Sequence, residues 1–187
     1  MANKDSAFGL RPIGKVGQNR DNQGLSEYDI AASASAIFQN APVEMAATGT
    51  ITVAAATDTL LGSLTGVFFT DASTSKPTFA NHLKASNTAT DIKGFVSDDP
   101  YERFEIQSDD ATAAADVGLN ADIVYASGAT PNFVSKVELD HSDLKTATAQ
   151  LRVLGISKDI DNNEAGSANV NLVVMINEHF LKGTVGI

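Results

Sequence analysis

The sequence predicts a mainly β fold, a small β-barrel or β-sandwich with one or two short helices and an extended N-terminal arm. Three observations predict it. Apolar residues alternate with polar or small ones in short runs, as in Val43 and Met45 or Ile51 and Val53. Gly, Asn, Asp and Pro clusters separate these runs at regular intervals. The two stretches that could be helical, residues 78–86 behind Pro77 and residues 142–149, are too short to lead the architecture.

From the start to residue 27 the chain reads as an arm. Gly9, Pro12, Gly14, Gly17 and Gly24 separate isolated apolar residues, a spacing that suits an extended course and neither a helix nor a long strand. At ~3.3 Å per residue such a segment reaches up to about 80 Å. An arm without a core of its own takes its order from a neighbour, and Phe8, Leu10 and Ile13 are its docking anchors.

Residues 28–187 read as a single β-rich domain. Residues 28–38 hold a strand or a short helix anchored by Tyr28, Ile30, Ile37 and Phe38. Residues 42–55 form a hairpin about Thr48-Gly49. Strands follow at 60–64, 66–70 and 92–96, then at 102–107 after the Asp98-Asp99-Pro100 turn. Residues 117–125 supply one or two more, and 134–139 and 151–156 alternate well. Residues 170–176 carry Val, Leu and Ile on both faces, the pattern of a strand buried on both sides.

Composition narrows the function classes. A chain of 187 residues forms about one domain and buries roughly 70% of its unfolded surface. The formal net charge of −10 argues against a surface that tracks phosphate backbones, so nucleic acid is not an expected partner. The same charge keeps an abundant protein soluble before assembly. Cysteine is absent, which removes disulfides, thiolate metal cages and thiol nucleophiles. The first residues lack the order of a secretory signal, and no apolar run approaches the ~20 residues that span a bilayer, so cytoplasmic synthesis without a membrane partner is expected.

Candidate chemistry fails on inspection of each motif. Asp159-Ile160-Asp161-Asn162-Asn163 opens like a calcium loop, but Glu164 replaces the turn glycine and Val170 stands where the bidentate Glu belongs. Asp140-His141-Ser142-Asp143 gathers triad residue types, yet neighbours in sequence point apart, and it reads as a polar turn. His82 and His179 have no metal spacing. Asp98, Asp99, Glu102 and Glu105 form an acidic cluster that Arg103 partly neutralises. No phosphate loop or dinucleotide fingerprint occurs. These residues predict no enzyme, no cofactor and no metal.

Several segments carry a family likeness: Phe8-Gly9-Leu10-Arg11-Pro12, Gly94-Phe95-Val96-Ser97-Asp98-Asp99-Pro100, Phe104-Glu105-Ile106-Gln107, Asp116-Val117-Gly118-Leu119-Asn120-Ala121-Asp122, and residues 170–179. Together they resemble tailed-phage virion proteins, and the chain is similar to the head decoration, or cement, proteins. The resemblance implies binding to the outer face of the capsid and stabilisation of contacts between major capsid subunits. It also implies a homo-oligomer on the shell, often a trimer, and virion localisation. Phe8, Leu10, Arg11, Pro12 and Ile13 are then the capsid-binding arm. The alternatives are a minor virion component at the head-tail connector or tail, or a carbohydrate- or ligand-binding module.

Overall fold

A computed structural model describes residues 2–17, 24–128 and 130–183. The architecture is mainly β, built from two open antiparallel sheets and a separate two-stranded ribbon, so the predicted fold class holds. Neither sheet closes into a barrel among the described residues.

The first sheet has five strands in the order β1-β8-β13-β12-β9. These are β1 (Arg11–Lys15), β8 (Glu102–Gln107), β13 (Asn171–Ile176), β12 (Leu151–Ile156) and β9 (Asn120–Ala121). β13 lies between β8 and β12, which explains its near-continuous apolar sequence. Its Leu172, Val174 and Ile176 join Phe104, Ile106, Leu151 and Val153 in one buried cluster. Each such side chain contributes about 1.5–3 kcal/mol by leaving water.

The second sheet runs β2-β7-β5-β3-β4. Its members are β2 (Ser26–Asp29), β3 (Pro42–Met45), β4 (Ile51–Val53), β5 (Leu60–Thr70) and β7 (Lys93–Ser97), with β6 (Pro77–Ala80) also paired to β5. The hairpin of β3 and β4 turns at Gly49 as expected. The runs at 60–64 and 66–70 are one strand of 11 residues, bent by a bulge between Leu64 and Gly66. Along β5, Leu60 enters the first core while Leu61 and Leu64 enter a second, with Val43, Ile51, Val67, Ile92 and Val96. β5 therefore separates two adjoining cores. Gly62 makes its approach to β7 possible, because a Cβ there would lie 2.1 Å from the Ser97 carbonyl oxygen.

The ribbon pairs β10 (Ile123–Val124) with β11 (Glu138–Leu139). Helical structure is limited to 3-10 turns at Ala114–Asp116, His141–Asp143 and Phe180–Lys182. Residues 78–86, which could be a short helix or an irregular segment, begin within strand β6, which gains its hydrogen bonds from β5 through the hairpin closed by residues 71–76, and continue from residue 81 without a helix. That expected over residues 142–149 shrinks to the His141–Asp143 turn. In the 134–139 run only Glu138 and Leu139 pair as a strand, and Val134 makes an isolated bridge to Gln39.

The N-terminal segment differs from a free arm. Residues 2–17 run along the molecule's own first sheet, β1 pairs with β8, and the boundary expected after residue 27 falls inside β2. The connection at residues 18–23 lies outside the described residues.

Candidate functional site

The five residues assigned to a binding arm divide into different roles. Leu10 is 0% exposed and packs in the first core, so its side chain is committed to the fold. Its N–H donates to Asn40 O at 2.8 Å and its carbonyl accepts from Ser63 Oγ at 2.6 Å. Gly9 permits this course with φ of 72°, and a Cβ there would sit 2.3 Å from Asn40 O. Pro12 pairs opposite Phe104 and is half-buried. Phe8, Arg11 and Ile13 remain available at the surface, Ile13 at 42% exposure. Arg11 lies over the Phe8 ring at 4.5 Å and pairs with Glu105.

Two buried amides hold the segment upstream of β1. Gln107 Nε2 donates to Lys4 O at 2.9 Å, and its Oε1 accepts from Ser6 N–H at 2.9 Å. Asn162 Nδ2 donates to Lys4 O at 2.8 Å, and its Oδ1 accepts from Lys4 N–H at 3.0 Å. Asn162 belongs to the acidic turn that resembled a calcium loop; its amide is a clamp for the chain's own N-terminal peptide. Sequence reasoning missed Gln107 and Asn162, because the pairing partners lie over 100 residues away.

β1 is the outer strand of the first sheet, so one of its edges carries unpaired backbone groups among the described residues. Exposed Ile13 and Val16, the latter 49% accessible, stand on and just beyond that strand. Beside it, the solvent face of the sheet collects positive charge. Cross-strand register places Arg11, Glu105 and Val173 in one row and Arg103, Met175 and Arg152 in the next. Three of the chain's four arginines thus share one face of an acidic protein. Glu105 is the acid among these six residues. It is buried, neutralised by Arg11, and accepts a hydrogen bond from Ser157 Oγ.

A buried polar junction ties the sheets together. The Asp98-Asp99-Pro100 connection crosses from β7 to β8, and Asp99 pairs with Lys15 of β1 at 2.7 Å. Tyr28 of β2 donates to Asp98 Oδ2 at 2.6 Å; burial, then this bond to a carboxylate, pushes its phenol up to about 12. Glu102 is 1% exposed, and burial raises its pKa against the opposing Lys15 charge and the nearby Gly14 backbone N–H. His179 is buried, and Leu181 N–H donates to its Nδ1 at 3.1 Å. Desolvation, reinforced by the Lys182 charge, lowers the imidazole pKa to about 4. Burial thus shifts the two groups in opposite directions here, lowering the His179 imidazole and raising the Glu102 carboxyl.

The remaining motifs stay apart from this junction. His141 lies in a turn whose N–H donates to Asp109 Oδ1 at 2.8 Å, and Ser142 donates to Asp140 at 2.6 Å. Asp143 is instead paired with Lys145 at 2.8 Å, so no triad forms there. His82 lies flat on Phe133 at 3.8 Å, bordering a concavity of about 490 Å³ under the β5–β6 hairpin. Among the described residues, no group of three or more His, Cys, Asp or Glu could hold a metal ion, and no helix is long and apolar enough to cross a membrane. No family model, curated protein or solved structure matches this chain.

Proposed function

We propose that the chain is a structural protein of a tailed-phage head, a decoration protein that binds the outer capsid surface and stabilises contacts between major capsid subunits. The observation that supports it best is the edge of β1 that no strand pairs among the described residues, on an N-terminal strand anchored to its own domain, with exposed Ile13 on it and Val16 just beyond it. Such an edge can receive a strand from another chain, with backbone hydrogen bonds supplying affinity and apolar side chains supplying register. Phe8 and Arg11 extend the same contact, while Leu10 and Pro12 position it from within. Individually weak contacts become effective when many copies engage one shell. The acidic composition suits the outer face, away from packaged DNA.

In this reading the partner is the major capsid protein, the chain carries no cofactor, and copies occupy the shell as a homo-oligomer, a trimer by family resemblance. The test uses purified shells stripped of this chain. Wild-type protein restores full occupancy, whereas the Ile13→Asp, Val16→Asp double variant, folded normally by circular dichroism, loses most of it. Unchanged occupancy removes the β1 edge as the anchor, and failure of the wild type to bind removes the decoration reading.

A ligand-binding module is the second reading, favoured by the concavity that Phe69, His82 and Lys84 help to line. A native-state ligand must raise the melting temperature by mass action. A flat response to a panel of glycans rejects that reading.

A further inference from the structure

One row of the first sheet carries cations that no acid of the chain answers. Cross-strand register sets Arg103 of β8, Met175 of β13, Arg152 of β12 and Asn120 of β9 side by side, with both arginines exposed. Lys182, in the 3-10 turn after β13, adds a third cation. Its Nζ stands over the ring of exposed Tyr101 at 4.7 Å, and burial, then the Arg152 charge, lowers its pKa. Among the described residues, no carboxylate pairs with Arg103, Arg152 or Lys182. Asp99, the acid that acts on Lys182, is taken by Lys15 at 2.7 Å. Glu105 lies in the next row and is neutralised by Arg11. Like charges gathered without a counter-charge destabilise a fold, and chains accept that cost mainly where they bind something.

Arg152 is also prepared for a ligand. Its Nε donates to Asn120 Oδ1 at 3.0 Å, and Asn120 is buried and fixed by donating to Ala147 O at 2.9 Å. The guanidinium is thereby oriented with its two Nη groups left over, the fork that grips a carboxylate through parallel hydrogen bonds.

We infer that this patch binds an acidic segment of a partner protein, an extended peptide whose carboxylates meet Arg103, Arg152 and Lys182. Spacing selects a segment over a single small anion. Arg103 and Arg152 lie two strands apart, about 10 Å between their Cα atoms. Arg103 Nη2 reaches back over Gly14 of β1, 3.5 Å from where a Cβ there would stand, while Asn120 draws Arg152 the other way. One small anion cannot touch both. Carboxylates on alternate residues of an extended chain stand about 7 Å apart on one face and can. Half-buried Met175 and exposed Tyr101 offer apolar contact to the carbon stems of such side chains. A nucleic acid is selected against, because three cations are set in a chain whose net charge of −10 repels a polyphosphate. The inference goes beyond the decoration reading and does not depend on it, and the side chains of Arg11, Ile13 and Val16 form no part of the patch.

The test is isothermal titration calorimetry on the full chain at low salt with a synthetic peptide of alternating glutamate and serine. The matching glutamine-serine peptide, inorganic phosphate and single-stranded DNA of equal charge serve as comparisons. The glutamate peptide binds and is released as salt rises, and the glutamine peptide does not bind. Arg103→Ser and Arg152→Ser each weaken binding about ten-fold. Arg152→Lys also weakens it, because the charge is kept and the fork is lost. Lys158→Ser, at an exposed cation outside the patch, leaves binding unchanged. These surface variants keep the melting temperature of the wild type. Failure of the glutamate peptide to bind at low salt overturns the inference, as does equal binding of the glutamine peptide or equal weakening by Lys158→Ser. Phosphate bound as tightly as the peptide overturns the extended segment, and DNA bound more tightly overturns the protein partner.

Discussion

Replacing Leu10 with alanine asks whether the first strand is structure or appendage. Leu10 is fully buried, shares a cluster with Phe104 and Leu172, and is bracketed by two backbone-directed hydrogen bonds to Asn40 and Ser63. Truncation removes three buried carbons and leaves a cavity that β1 and β5 cannot close without breaking those bonds. Leucine-to-alanine changes at such sites cost about 3 kcal/mol. For a chain of this size that loss lowers the melting temperature by roughly 6–12 °C. Ile13→Ala on the same strand removes a largely exposed group and costs less than about 1 kcal/mol. Urea and thermal unfolding followed by far-ultraviolet circular dichroism measure both. A Leu10→Ala stability within about 0.5 kcal/mol of wild type refutes the integration of β1 into the core. Deletion of residues 2–20 cannot separate binding from folding, since it removes Leu10 together with the strand edge.

Two further perturbations follow. The His179 pKa is depressed from its ordinary 6.5 to about 4, so the neutral ring stabilises the fold fully above pH 6.5, and this contribution is lost as pH falls through 4. Over that window His179 accounts for about 3 kcal/mol of acid destabilisation, and His179→Asn, which can keep an acceptor for Leu181 N–H, flattens the slope of unfolding free energy against pH. An unchanged slope in the variant contradicts the buried neutral imidazole. Gly62→Ala drives a Cβ against the Ser97 carbonyl oxygen, and because that neighbour is backbone the change costs about 3 kcal/mol, read by the same denaturation assays.

Local pattern carried much of the fold. Residues 170–176 announced a central strand because β13 is paired on both edges and sends Leu172, Val174 and Ile176 into the core, whereas Val173 and Met175 lie only half-buried on the solvent face, so the strand is not covered on both sides. Residues 102–107 and the hairpin at 42–55 were equally plain, since their turns and alternation are adjacent in sequence. The split of β5 arose because Thr65-Gly66 reads as punctuation, whereas the structure uses it as a bulge beneath the Phe79 ring. The segment at 77–80 lacks a strong period and becomes a strand only through β5.

The candidate site was less legible. Phe8, Arg11 and Ile13 stood out as isolated apolar and charged residues in a glycine-rich segment, but the commitment of Leu10 to the core depends on pairing with β8, some 90 residues onward. The arginine rows are invisible in sequence for the same reason. Arg103 and Arg152 become neighbours across Met175 only when the registers of β8, β13 and β12 are known. Asn162 was read within a failed metal motif, and its use as a peptide clamp required the return of residues 3–6 to that turn.

Quantitative mass spectrometry on purified virus-sized particles from the source lysate tests the decoration proposal most directly. The account predicts a molar ratio of this chain to the most abundant shell protein near one, or a simple fraction of it. A ratio of a few per cent assigns the chain to a vertex or tail instead, and its complete absence from particles contradicts a virion role.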